Sequence, residues 1–127
     1  MSPDLSLNLP LDLNTIPIID HHCHAFLRHA GPFTAQEFQR FFTESGDETM
    51  RSTHVPHTVF YRWAIKELAR FHGCEPAPEA VLAARGAVEP NELARRMLAD
   101  ANIPLLLIDY GFQGPENLTW QEVAAQA

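Results

Sequence analysis

The chain has 127 residues, which is enough for one domain with a buried core. Its composition, 46% hydrophobic and 20% charged, is that of a globular protein rather than a disordered one. The net charge of −7 is spread along the chain, which excludes the clustered Lys and Arg that bind nucleic-acid phosphates. No apolar run approaches the roughly 20 residues of a membrane helix, and two cysteines are too few for a disulfide framework. We therefore expect a cytoplasmic domain that binds neither nucleic acid nor membrane.

The predicted elements begin after an irregular lead-in over residues 1–15, which contain several chain breakers and no sustained period. The sequence IPIID is short, β-branched and apolar on both sides, and it predicts a buried parallel strand over residues 16–20. The sequence TAQE, from Thr34, has the spacing of a capping box and predicts a helix to about Phe42. Residues 43–56 are polar and broken, so we predict a loop there.

A long amphipathic helix is the clearest of the predicted elements. Apolar residues recur at three- and four-residue steps in TVFYRWAIKELARFHG, residues 58–73, and Gly73 is the expected stop. Its predicted inward face consists of Phe60, Tyr61, Ala64, Ile65, Leu68, Phe71 and His72. A short helix, EAVLAAR, follows, and Pro90 begins another that ends at Asn102. The predicted inward residues of that helix are Leu93, Met97 and Leu98.

A second apolar run, IPLLLID, predicts a strand over residues 103–109. A further capping box at Thr119 predicts the start of a helix. The order is therefore strand, helical insertion over residues 34–101, strand, and such a crossover predicts a right-handed parallel βαβ unit. We expect an α/β fold over residues 16–127, with two parallel strands whose edges are open.

The spacing Asp20-x-His22-x-His24 at the end of the first strand predicts half of a metal site. Side chains two residues apart on a strand point to the same face, and neutral imidazole is a good ligand for zinc. Asp20 is placed to orient a histidine as an outer partner, or to stay solvated. In a chain with seven histidines, a chance occurrence of this spacing is the alternative.

Several segments in the same order resemble one protein family. The sequence IIDHHCH, the segment HVPHTVFYRWAIKELARFHGC, the arginine-rich helix and LLLIDYGF resemble the amidohydrolase superfamily, in its amidohydrolase-related branch. The resemblance covers residues 16 to about 123. It implies that the chain is the N-terminal part of a (β/α)₈ barrel.

The resemblance also implies roles for individual residues. His22 and His24 match the metal ligands of the family's first strand. Asp109 ends the second strand, where barrel active sites lie, and either contacts substrate or caps the next turn. His54 and His57 either line the pocket entrance or belong to a polar loop before the long helix.

The implied activity is metal-dependent hydrolysis of an amide, lactone or related C–N or C–O bond in a small-molecule substrate, with zinc as the expected divalent metal. Some members of the branch instead decarboxylate aromatic acids. Such a barrel needs roughly 200 residues or more, and the ligands and catalytic aspartate of the later strands are absent from this sequence. We therefore expect no hydrolysis by this chain without a complementing C-terminal fragment. The alternative is a small, mostly helical domain with a binding or self-association role and no catalysis.

Overall fold

The computed structural model describes residue 12, residues 15–111 and residues 114–125. It has a mixed α/β fold with two parallel strands and several helices, as predicted. The strands are β1 (Ile19–His24) and β2 (Leu105–Asp109). The α-helices are α1 (Ala35–Gln39), α2 (Val59–His72), α3 (Pro78–Gly86), α4 (Pro90–Asp100) and α5 (Trp120–Ala124). None of the described helices has the length and apolar character needed to cross a membrane. The predicted lead-in, residues 1–15, lies outside the described residues except for Asp12 and Thr15.

The first strand begins and ends later than the predicted residues 16–20. Before Ile19, the backbone is held by Asn102, whose Nδ2 donates to the carbonyl of Ile16 (2.9 Å) and whose carbonyl accepts from the amide of Ile18 (2.8 Å). Strand pairing then continues as far as His24, because β2 lies alongside it to its end. The histidines are therefore inside the strand rather than beyond it.

One face of the sheet is exposed, although the first strand was predicted to be buried on both sides. Ile19, Leu105 and Leu107 expose 57%, 49% and 54% of their surface. Ile19 lies opposite Leu105, and alternation places Leu107 on the same face as Leu105. This exposed apolar face consists of Ile19, Leu105 and Leu107, and it is called the open sheet face below.

The predicted loop over residues 43–56 is wrong in its second half. A π-helical turn spans Met50–His54 and a 3₁₀ turn spans Val55–His57. The amide of Met50 donates to Asp47 Oδ1 (2.7 Å), so a polar side chain that suggested a loop instead begins a helical turn. The turn places Val55 in the core, where it is 2% exposed.

The core lies among the helices of the insertion. The Thr34 capping box and the left-handed stop at Gly73 (φ 67°) form as the sequence predicts, and the Thr58 side chain caps α2. The buried stripe of α2 is Tyr61, Ile65 and Ala69. Phe60 was predicted to face inward and is 59% exposed, so the stripe is rotated by about one position from the prediction. The buried core residues are Phe38, Val55, Tyr61, Ile65, Ala69, Val81 and Leu82.

The last two helices begin where they were predicted to begin. Pro90 is the first residue of α4, and the Glu89 carboxylate caps it by accepting from the amides of Asn91 and Glu92. Leu93 is buried as predicted, whereas Met97 is exposed. The capping box at Thr119 opens α5.

Candidate metal centre

The two predicted ligands lie on the same side of β1. The ring centroids of His22 and His24 are 5.5 Å apart, and their planes meet at 71°. Both side chains are exposed. His24 lies opposite Asp109, so the carboxyl ends of both strands meet at this pair. The sequence places the rings together because period-two alternation operates within a strand.

The separation of the two rings is compatible with a shared zinc ion. With a Zn–N distance of about 2.1 Å, a ring centroid lies about 3.2 Å from the ion, and tetrahedral separation places two such centroids about 5.2 Å apart. The observed 5.5 Å is close to that spacing. The same edge-on arrangement also occurs between aromatic rings in simple contact. The observed spacing is therefore common to a shared metal and to a direct contact between the rings.

A β-bulge at His21 and His22 follows Asp20 in β1. Asp20 lies opposite Leu106 and Cys23 lies opposite Ile108, so β1 has one more residue than β2 between these positions. Leu106 and Ile108 share a face by alternation, which places Asp20 and Cys23 together on that face. Burial, and then the negative charge of Asp20, raise the pKa of the Cys23 thiol. Asp20 Oδ1 accepts from the backbone amide of His22 (3.1 Å). Asp20 thus holds the backbone at the bulge, and its predicted role as an outer partner of an imidazole stays a prediction.

The Asp109 carboxylate caps the turn that follows β2. Its Oδ1 accepts from the amide of Gly111 at 2.7 Å. This is the local role that the sequence left open as an alternative. Contact of Asp109 with a substrate stays a prediction.

Three further histidines, His54, His57 and His72, lie in the helical insertion. His54 ends the π-helical turn, and His57 ends the 3₁₀ turn before α2; both are exposed. Their role at a pocket entrance stays a prediction. His72 packs edge-on against Phe71, with ring centroids 4.9 Å apart. Its Nε2 is buried with no hydrogen-bond partner among the described residues, and burial lowers the pKa of His72.

Arg85 is a half-buried cation that the sequence analysis did not single out. Its Nη1 donates to the carbonyl of Ala30, and its guanidinium lies 5.2 Å from the centroid of the Phe33 ring. Arg85 follows the buried Val81 and Leu82 by four and three residues on α3. That spacing places it on the inward helix face and is the signal that could have identified it.

No family model, curated protein or solved structure matched this chain. Within the described ranges, no group of three or more His, Cys, Asp and Glu side chains is placed to hold a metal ion. The chemistry available from these ranges at the strand ends is therefore that of two imidazoles beside a carboxylate.

Proposed function

We propose that this chain contributes the first two strands of an amidohydrolase-like (β/α)₈ barrel, in which His22 and His24 bind a divalent metal, zinc. The proposed reaction is hydrolysis of an amide, lactone or related bond in a small-molecule substrate. The observation that carries the proposal is the placement of the two rings, 5.5 Å apart on one side of β1 and next to Asp109.

The open sheet face supports the same proposal. Leu105, Leu107 and Asp109 alternate along β2, so the face is apolar along its length and ends in a carboxylate. The interior of a (β/α)₈ barrel is filled by apolar side chains, and its active site lies at the carboxyl ends of the strands. The distribution of residues on the two strands matches that arrangement.

Each residue has a defined task in the proposed site. The imidazoles of His22 and His24 bind the metal through neutral ring nitrogens. Asp20 fixes the backbone of His22 through its 3.1 Å hydrogen bond. Asp109 uses Oδ1 to cap the turn, and we assign its second oxygen to substrate contact. A zinc ion held there would supply the activation of a water for attack on the substrate.

The proposed site needs more groups than the pair. A catalytic zinc usually has three protein ligands and one open position for water. On this proposal, a complementing segment of barrel supplies the further ligand and the general base. The chain by itself then binds zinc weakly and does not hydrolyse substrate.

Calorimetric titration of zinc into the purified chain tests the proposal. The wild type and a control variant, His54→Ala/His57→Ala, are expected to bind one equivalent, and the His22→Ala/His24→Ala variant to bind none. The control also removes two exposed histidines, so it separates the pair on β1 from general histidine content. Equal binding by all three proteins would reject the assignment.

Self-association is a second candidate function, favoured by the open sheet face. Exposed apolar surface and open strand edges are templates for contact with another chain. The proposed partner is a second copy of this chain, with the two open sheet faces packed together. Sedimentation velocity over a range of concentrations should then show a dimer that Leu107→Lys abolishes and Val59→Lys, at an exposed position of α2, leaves intact. A wild type that stays monomeric throughout would exclude this candidate.

A further inference from the structure

A cavity of about 340 Å³ lies between α4 and the segment that follows β1. Its volume is within the range of small-molecule sites, roughly 300–1,000 Å³. The cavity wall is mostly apolar, and the residues used below are Phe26, Ala30, Arg85, Leu93, Ala94 and Met97. Neither His22 nor His24 belongs to the wall, so the cavity is distinct from the candidate metal centre.

Among the described residues, no carboxylate neutralises the cation of this cavity, Arg85. Arg85 is half-buried, and in the part of the chain that the structure describes it forms no ion pair. Its partners among the described residues are the carbonyl of Ala30 and the rings of Phe33 and Phe38, whose centroids lie 5.2 and 5.9 Å from the guanidinium. Burial lowers the pKa of Arg85, because desolvation disfavours the charged form. A half-buried charge held only by dipoles and ring faces favours a bound anion.

The cavity wall carries positive charge, whereas the chain as a whole is negatively charged. The chain has 16 acidic and 9 basic residues, yet the ionisable residues of the wall are Arg85 and His29. None of the described wall residues is an acid. An anionic ligand therefore meets attraction at the cavity in a protein whose net charge repels it.

We propose that this cavity binds a small aliphatic monocarboxylate. The carboxylate pairs with the Arg85 guanidinium, whose planar donors match it in shape. The aliphatic body lies along Phe26, Leu93 and Met97. This site is independent of the proposed metal site, and its test does not depend on the outcome for that site.

Titration of octanoate into the full chain, followed by calorimetry, tests the proposal, with 1-octanol as the uncharged control of equal chain length. Octanoate is expected to bind about tenfold more tightly than octanol, since two hydrogen bonds between a guanidinium and a carboxylate are stronger than one bond from the guanidinium to a neutral hydroxyl. An apolar cavity without a role for Arg85 predicts the opposite order, because octanol is the more hydrophobic molecule. Octanol binding as tightly as octanoate, or no octanoate binding, would overturn the proposal.

Two variants of α4 locate the binding. Ala94→Phe fills the cavity and should weaken octanoate binding at least about tenfold, as expected for loss of the apolar contacts. Ala99→Phe makes the same change at an exposed position of the same helix and should bind like the wild type. Octanoate binding that survives Ala94→Phe would place the ligand elsewhere and overturn the proposal.

A third variant tests the cation itself. Arg85→Gln keeps hydrogen-bond donors and removes the charge, so it should abolish the preference for octanoate over octanol. Because Arg85 also packs against aromatic rings, circular dichroism establishes whether the variant folds. If Arg85→Gln does not fold, the octanol comparison and the α4 pair decide the question by themselves. A folded variant that keeps the preference would overturn the role of Arg85.

Discussion

Val81→Ala and Val59→Ala make the same chemical change at opposite extremes of burial. Val81 on α3 is 0% exposed in the core, whereas Val59 at the start of α2 is 85% exposed. Removing two buried methyl-sized groups costs about 1.6 kcal/mol of transfer free energy, to which the residual cavity adds. We expect Val81→Ala to lower the free energy of unfolding by about 2–3 kcal/mol. Val59→Ala should change it by less than about 0.5 kcal/mol.

Urea denaturation followed by circular dichroism measures both effects. At the size of this chain, the loss in Val81→Ala corresponds to a fall in melting temperature of roughly 6–12 °C. The denaturant dependence of the unfolding free energy should stay unchanged, so that the shift in midpoint reports stability alone. Equal effects of the two substitutions would refute the packing of α2 against α3 around Val81.

Three further predictions concern ionisation and backbone conformation. Hydrogen bonds from Arg28 and Thr119 lower the pKa of Glu122 from 4.5 to about 2. The stabilisation from Glu122 is therefore present above pH 4.5 and is lost as the pH falls toward 2. In an acid-unfolding titration, Glu122→Gln should lose less stability at low pH than the wild type. An unchanged dependence of stability on pH below 4.5 would contradict the interpretation. Burial lowers the pKa of His72 below its ordinary 6.5, so protonation destabilises the fold as the pH falls from 7 to 5. His72→Gln should flatten that part of the stability profile, which urea midpoints at each pH would measure. Gly73 has φ 67°, so Gly73→Ala should cost about 1 kcal/mol by urea denaturation, whereas Gly46→Ala, in open space, should be near neutral.

The helices were predictable where their ends carry local chemistry. Thr34 and Thr119 each accept a hydrogen bond from an amide three residues on, and Gly73 adopts the left-handed conformation that ends α2. These contacts involve neighbours in sequence, so the sequence contains both partners. The order of strands around a helical insertion likewise predicted parallel pairing.

The errors arose where partners are distant in sequence. Asn102 holds the residues before β1 across more than 80 positions, and nothing near Ile16 indicates this. The inward face of α2 is set by α3 and by the turn that contains Val55, so Tyr61 is buried and Phe60 is exposed. The error at residues 43–56 has a different origin: Asp47 caps a turn only three residues on, and this local signal was not recognised among polar residues.

In the candidate site, too, features set by nearby residues could be predicted and features set by distant residues could not. The common face of His22 and His24 follows from strand alternation and could be predicted. The bulge at His21 and His22 could not, because it depends on the register with β2 and not on β1 alone. That register also places Asp20 on the face of Cys23.

The most direct test of the central claim is a long-range ¹H–¹⁵N NMR spectrum of the histidine side chains during titration with zinc. The chain has seven histidines, so seven ring systems report in one experiment. We predict that the signals of His22 and His24, assigned by single substitutions to Gln, shift together and saturate at one equivalent, while the other five stay unchanged. Signals that move together in all seven rings, or a shift in only one ring of the pair, would contradict a shared metal at the end of β1.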